Sequence, residues 1–194
     1  MGDQPEVNER DLAELVARIG RTAYGDGFVE GLTPTQWTAL RYFSRANRFS
    51  RSVSAFAEFN ATTRGTASQT VKSLVKNGYL TRKRLNRDRR SVCFDLTHMA
   101  LALLSRDPFE SLVAAAGELS NASRQVIGRG LDRMLRVLAA HHGKKVFGMC
   151  PNCKYLRTGI CCTGDETEYQ CELLGEPLKE PEIRQLCVNF VPFR

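Results

Sequence analysis

The chain has 194 residues, 42% of them apolar, and a formal net charge of +7. The apolar share supports a packed core and excludes disorder throughout, the length suits one domain with a small appended module, and no run of about 18 apolar residues is present to span a membrane. The opening MGDQPEVNER lacks the basic-then-apolar order of a secretory signal, so the expected location is the cytoplasm, where thiols stay reduced.

The charge is uneven. Residues 63–92 hold nine basic side chains and one acid, Asp88, a net of +8, whereas 148–194 hold five basic and seven acidic ones, a net of −2. A focused basic segment points to a polyanion. The cysteines gather elsewhere: five fall within the 22 residues 150–171, Cys187 follows, and only Cys93 lies apart.

In chain order, residues 9–22 read as a helix with Leu12, Leu15, Val16 and Ile19 on one face. Thr33, Pro34 and Gln36 form a capping-box start for a helix over 34–46 that turns Trp37, Leu40 and Phe43 inward. A short helix over 53–59 presents Val53, Phe56 and Ala57. Thr63 is a good N-cap for a helix reaching residue 77, with Val71, Leu74 and Val75 buried and Gly78 at the left-handed stop. YLTRKRL and SVCFDLT, joined by NRDRR, read as a hairpin with a charged tip, its Cys93 buried and inert. A helix over 98–119 carries Leu101, Leu104 and Leu112. Another over 122–141 carries Ile127, Leu131, Met134, Leu135 and Leu138, and ends in HHGKK, where His141 and His142 read as solvated helix-end residues.

Two helices, a tight turn and a basic hairpin make a winged helix-turn-helix. The expected class is mainly α with a small β-hairpin wing, long dimerisation helices and a small cysteine-rich C-terminal module. Residues 1–146 form the first unit and 147–194 the second. In the helix from Thr63, the apolar residues lie towards the second half, and the first turns offer Arg64, Thr66, Ser68, Gln69 and Lys72. That distribution suits a helix whose N-terminal part enters the major groove: Arg can bond guanine, Gln adenine, and Ser or Thr either, while flanking cations meet phosphates. Arg87, Arg89 and Arg90 at the hairpin tip suit the adjacent minor groove or backbone.

GLTPTQWTALRYF, TRGTASQTVKSLVKNGYLTR and DRRSVCFDLT resemble the MarR family of bacterial transcriptional regulators over about residues 10–140. Asp88 and Arg90, followed by Leu96 and Thr97, match the family's wing signature, and Ala100 stands where the family often has Gly. The resemblance implies a homodimer built by the first helix and the last two, bound to a pseudo-palindromic double-stranded DNA operator with one recognition helix per half-site.

The tail spacing is Cys150-x2-Cys153-x7-Cys161-Cys162-x8-Cys171-x15-Cys187. Reduced thiols in such a cluster read first as metal ligands, suited to zinc, Cu(I) or iron–sulfur chemistry. A zinc ribbon usually has two CxxC knuckles and this tail has one, CPNC; a [4Fe-4S] or [2Fe-2S] cluster tolerates irregular spacing better. Zinc and a metal-free thiol switch stay open as alternatives. Leu173, Leu174, Leu178, Ile183, Leu186 and Phe190 are available to shield a buried group. The tail also looks like the cysteine extensions of some MarR-like proteins, which implies Cys150, Cys153, Cys171 and Cys187 as ligands, with Cys161 or Cys162 as a substitute.

The expected function is therefore transcriptional regulation that senses redox or iron status through a cysteine-bound cluster. Loss of the cluster is expected to act by shifting the last helix pair and so the half-site spacing. Alternatives are a small-ligand-responsive repressor with a structural zinc tail, and an electron-transfer or metal-trafficking module that docks through its winged helix. No catalytic Ser/His/Asp set, phosphate loop or paired carboxylates suggest an enzyme.

Overall fold

In the computed structural model, residues 6–24, 29–85, 88–159 and 169–193 are described, without the side chains of 24, 84, 85 and 88–91. The elements in order are α1 (Glu9–Tyr24), α2 (Pro34–Arg45), α3 (Val53–Phe59), α4 (Arg64–Lys76), β1 (Leu80–Leu85), β2 (Asp88–Leu96), α5 (His98–Leu104), α6 (Glu110–Gly117), α7 (Asn121–His141), β3 (Leu156–Thr158), β4 (Tyr169–Cys171), β5 (Glu176–Leu178) and α8 (Glu180–Ile183). None of the described helices is long and apolar enough to cross a membrane.

Local chemistry sets the starts. The Thr33 hydroxyl accepts from the Gln36 backbone N–H while the Gln36 side chain accepts from the Thr33 N–H, at 3.2 and 2.8 Å. Ser52, Thr63 and Thr97 cap α3, α4 and α5 in the same way, each satisfying a backbone donor that the helix itself leaves unpaired. Gly78 ends the turn after α4 at φ +75. A side chain there would be strained in that conformation and would also press on Met99, 3.3 Å from the added Cβ.

The main core joins α2, α3, α4, α5 and the wing around Trp37, Leu40, Tyr42, Phe43, Phe56 and Leu74. Tyr42 packs edge-on to Phe43 at 5.3 Å and against Phe56 and Phe59 at 5.5 and 4.8 Å. Phe147, just beyond α7, closes on Phe59 at 5.4 Å, so the segment leading to the tail is part of the aromatic core.

The single helix expected over 98–119 is two helices, α5 and α6, separated at residues 105–109. Pro108 disfavours helical backbone in the residue before it, and Asp107 is pulled inward. Its carboxylate takes both bonds from Arg41 Nη1, at 2.8 and 3.0 Å, and accepts from the Phe109 N–H at 2.9 Å. The expected stripe shifts as a result: Ala100 and Leu103 are buried while Leu101 is 51% exposed. Asp107→Ala is expected to cost about 3 kcal/mol, because it leaves the half-buried Arg41 charge without its main partner. Urea unfolding measures this, and a loss below about 1 kcal/mol would contradict a structural role for the pair.

The tail folds as a second small unit. Its sheet is antiparallel in the order β3-β4-β5, pairing Leu156 with Cys171 and Tyr169 with Leu178. Leu178, Ile183 and Phe190 are buried as expected, but Leu173 is 47% exposed and shields nothing. This unit docks on the connection between α2 and α3. Arg45 O accepts from Leu186 N–H, and Leu186 O accepts from Asn47 N–H, at 2.8 and 3.0 Å. Arg48 reaches across to Glu182 at 3.2 Å and to Pro177 O at 2.7 Å. A lesser contact reaches α7, where Arg136 lies over the Phe190 ring at 5.7 Å.

Candidate nucleic-acid interface and thiol cavity

Helix α4 sorts its side chains cleanly. Ala67, Val71 and Leu74 are buried, while Arg64, Thr66, Gln69 and Lys72 are exposed and Ser68 is half-buried. Thr63 is occupied as the cap, its hydroxyl accepting from Thr66 N–H at 3.1 Å and lying 2.9 Å from the Thr66 hydroxyl. The first turn of α4 holds no acid. The unpaired N–H groups of the helix start and Arg64 therefore give that end a positive potential.

The wing is an antiparallel pair running from Leu80 opposite Leu96 to Leu85 opposite Asp88, with an irregularity between Arg84 and Leu85. Its residues 88–90 lie in β2 as backbone, their side chains outside the description, and Arg87 lies outside the described residues. Phe94 anchors the wing against Phe43, at 6.0 Å. Cys93 therefore falls on the other side of the strand. It is half-buried, with its thiol directed at Lys83 O at 3.7 Å, rather than sealed inside as expected, because strand alternation gives the inward place to Phe94. Asp95 binds Arg51 and Lys83, each at 2.7 Å. Burial alone would push this carboxyl up, but the two cations outweigh it and hold it below its usual range.

Between α4, the wing and the tail runs an open groove of about 1320 Å³. Arg64, Ser68, Lys72 and Lys76 line it from α4, Arg82 from β1, Leu174 from the turn after β4 and Glu176 from the start of β5. Arg64, Lys72, Lys76 and Arg82 make no ion pair with any described residue, whereas Arg51 and Lys83 share the carboxylate of Asp95. Lys76 and Arg82 were not among the expected contacts. The basic count contained them, but only the packed wing shows that they share the groove. The tail's place on its rim had no sequence signal.

The thiols meet separately. Cys150 and Cys153 flank a tight 3-10 turn, Cys150–Asn152, closed by Cys153 N–H donating to Cys150 O at 2.8 Å. Cys171 ends β4, and Cys187 pairs its N–H with Gly148 O at 2.9 Å. Gly148 must be small, since a Cβ there would sit 2.7 Å from the buried Phe190 ring. Cys150, Cys153, Cys171 and Cys187 all line one cavity of about 20 Å³, together with apolar Leu156 and Leu178. Cys161 and Cys162 lie outside the described residues. Burial, then Cys187, Cys153 and Cys171, push the Cys150 thiol up to about 12. Cys187 is raised mainly by burial, while hydrogen bonds from the Asn47 side chain and the Asn189 backbone pull it back. Among the described residues, no three His, Cys, Asp or Glu side chains stand close enough to hold a metal ion as they are placed.

A helical unit closed by a two-stranded wing, with long helices on either side, defines a winged helix-turn-helix protein. Residues 30–91 match the family model described as MarR family. The structure is similar to that of Staphylococcus aureus MepR in a complex with DNA, at 18% identity and TM-score 0.56, covering 70% of this chain and 99% of that one. It is similar to the transcriptional regulator BldR from Sulfolobus solfataricus, at 21% identity and TM-score 0.53, covering 69% and 99%. A MarR protein from Peptoclostridium difficile aligns at 15% identity and TM-score 0.56, covering 73% and 96%. At these identities the likeness is one of fold. Each neighbour is covered almost whole and this chain only in part. No curated protein matches the chain.

Proposed function

We propose that the protein is a homodimeric DNA-binding transcriptional regulator, that α4 reads the major groove of a pseudo-palindromic operator beside the wing, and that its tail carries a cysteine-bound iron–sulfur cluster. The observation that carries the first part is the groove: four cations without an ion-pair partner among the described residues, Arg64, Lys72, Lys76 and Arg82, line it along α4 and β1. The MepR complex with DNA shares this fold and supports the same use here. Titrating duplex binding with salt tests it: affinity is expected to fall steeply as counterions are released, and a flat response would contradict groove binding.

A second copy accounts for the exposed apolar faces. Leu12, Leu15, Val16 and Ile19 on α1, and Ile127, Leu131, Leu135 and Leu138 on α7, are all at least 36% exposed. Rows of this kind on two helices are costly in water and mark an association surface. Leu131→Asp combined with Leu135→Asp is expected to give a monomer by light scattering and to abolish operator binding, since one recognition helix loses the avidity of two. A dimer of unchanged size would place the interface elsewhere.

The donor set of the tail fits thiolate-only chemistry. The cavity of about 20 Å³ between these thiols has room for roughly a water-sized sphere. The all-thiol donor set with apolar walls suits an iron–sulfur cluster, with zinc as the alternative. Cys150, Cys153, Cys171 and Cys187 would hold it, and it would supply a group that accepts electrons and is lost on oxidation. In that role the protein reports redox or iron status.

A further inference from the structure

We infer that Arg48 is a further polyanion-binding cation of the groove, and that the docked tail withholds it by supplying the two carboxylates that pair with it. The inference rests on the nucleic-acid reading of the groove above and is independent of what the tail cysteines bind. Among the described residues, six basic side chains line the groove. Four of them, Arg64, Lys72, Lys76 and Arg82, make no ion pair with a described residue. Arg51 is paired within the winged-helix unit, with Asp95 of the wing. Arg48 is different. Its acidic partners both belong to the tail, Glu182 at 3.2 Å and Glu176 at 3.6 Å, and Glu176 itself lies on the groove. The groove therefore holds one cation whose charge is matched or free according to where the tail sits.

The tail docks in a way that brings these carboxylates to Arg48. Its segment 186–188 lies along residues 45–50. Leu186 N–H donates to Arg45 O at 2.8 Å, Asn47 N–H donates to Leu186 O at 3.0 Å, and Val188 N–H donates to Ser50 Oγ at 2.9 Å. Arg48 falls inside that stretch, and Phe49 beside it packs against the small tail core of Leu178 and Ile183. Glu182 is held ready by the start of α8: its Oε2 accepts from Lys179 N–H at 3.1 Å as well as from Arg48 Nη1. Arg48 Nη2 donates to Pro177 O at 2.7 Å, and the guanidinium lies over the Phe49 ring, 4.7 Å from its centroid. These contacts turn the guanidinium to the tail, yet the side chain stays 41% exposed, within reach of a phosphate once its carboxylates are neutral or gone. A polyanion entering the groove meets the Glu176 carboxylate on its rim, and like charge there opposes binding.

Fluorescence anisotropy of the full chain on a duplex selected from a random pool tests this. Glu176→Gln combined with Glu182→Gln keeps side-chain size, and is expected to tighten binding by roughly fivefold or more at low salt, with a salt slope steeper by about one. Arg48→Ala is expected to weaken binding more in that background than in the parent, because only there is the guanidinium free to meet a phosphate. Glu172→Gln combined with Glu180→Gln removes the same charge from tail residues paired with Arg157 and Arg184, off the groove, and is expected to leave affinity within about twofold. A Glu176 and Glu182 variant that binds no tighter than the parent, or an Arg48→Ala loss equal in the two backgrounds, overturns the inference, and the groove reading stands as long as Arg64→Ala with Lys72→Ala still weakens binding. If that last variant binds as tightly as the parent, the groove reading fails and the inference falls with it. Should the paired variant not fold, Glu176→Gln alone decides, with the same expected direction and its own Arg48→Ala comparison.

Discussion

Replacing both Arg64 and Lys72 with alanine is expected to weaken duplex binding by roughly 30-fold or more, with the fold and its stability unchanged. Both side chains are exposed on α4 and line the groove, and neither makes an ion pair with a described residue. Their removal therefore takes away interactions with the nucleic acid and little else, since exposed positions of this kind seldom move stability by more than about 0.5 kcal/mol. A base or phosphate interaction from such a residue is worth about 1–3 kcal/mol, and about 1.4 kcal/mol is tenfold in affinity. The readout is fluorescence anisotropy on a duplex selected from a random pool. The salt slope is expected to fall by about one for each phosphate that the variant leaves without its cation. Arg184→Ala serves as the control: it is a cation too, but it lies in the tail, paired with Glu180 at 3.3 Å. A double variant that binds as tightly, with the parent's salt slope, would remove α4 from the interface.

The groove also explains why total charge is a poor guide to which cations act. The basic segment 63–92 reads as one stripe, yet Lys83 is committed to Asp95, which also holds Arg51. Pairing of this kind is long-range and leaves no mark in local sequence. The helices around Trp37, Phe56 and Val71 were legible because caps and apolar spacing are local. Thr33, Ser52 and Thr63 each bond within three residues of themselves. The break between α5 and α6 was less legible. Pro108 marked it, but the apolar residues on either side kept a helical spacing, and the force that turns Asp107 inward comes from Arg41, 66 residues earlier. The tail was legible in its cysteines and not in its docking. Strands of three residues are too short to show a period, and Asn47 and Ser50 look like loop residues until their partners arrive from residues 186–188. The expected path from cofactor to DNA, through the last helix pair, followed chain order. In space the tail also leans on the connection between α2 and α3.

Cys153→Ser is the second large effect: on the proposed iron–sulfur reading, the anaerobically purified variant is expected to lack the iron, acid-labile sulfide and visible absorbance of the parent, and to unfold in the tail. Cys153 is 8% exposed and packs with Cys187 and Phe190, so the change replaces a thiolate donor with a hard, weakly binding hydroxyl in an apolar setting. The tail has little core of its own, its buried residues being few and split between two small clusters. A unit that small depends on a bound group for its fold, so loss of the cofactor and loss of tail protection against protease are expected together. Cys93→Ser, in the wing strand and away from the cavity, should keep iron and sulfide at parent levels, which separates a ligand effect from a general effect of removing thiols. Cys161→Ser and Cys162→Ser are expected to keep them too, since four other thiols already line the cavity. A parent protein with one zinc per chain and no sulfide would replace the cluster by a single ion. Iron retained in full by Cys153→Ser would instead take that residue out of the ligand set and bring Cys161 or Cys162 into it.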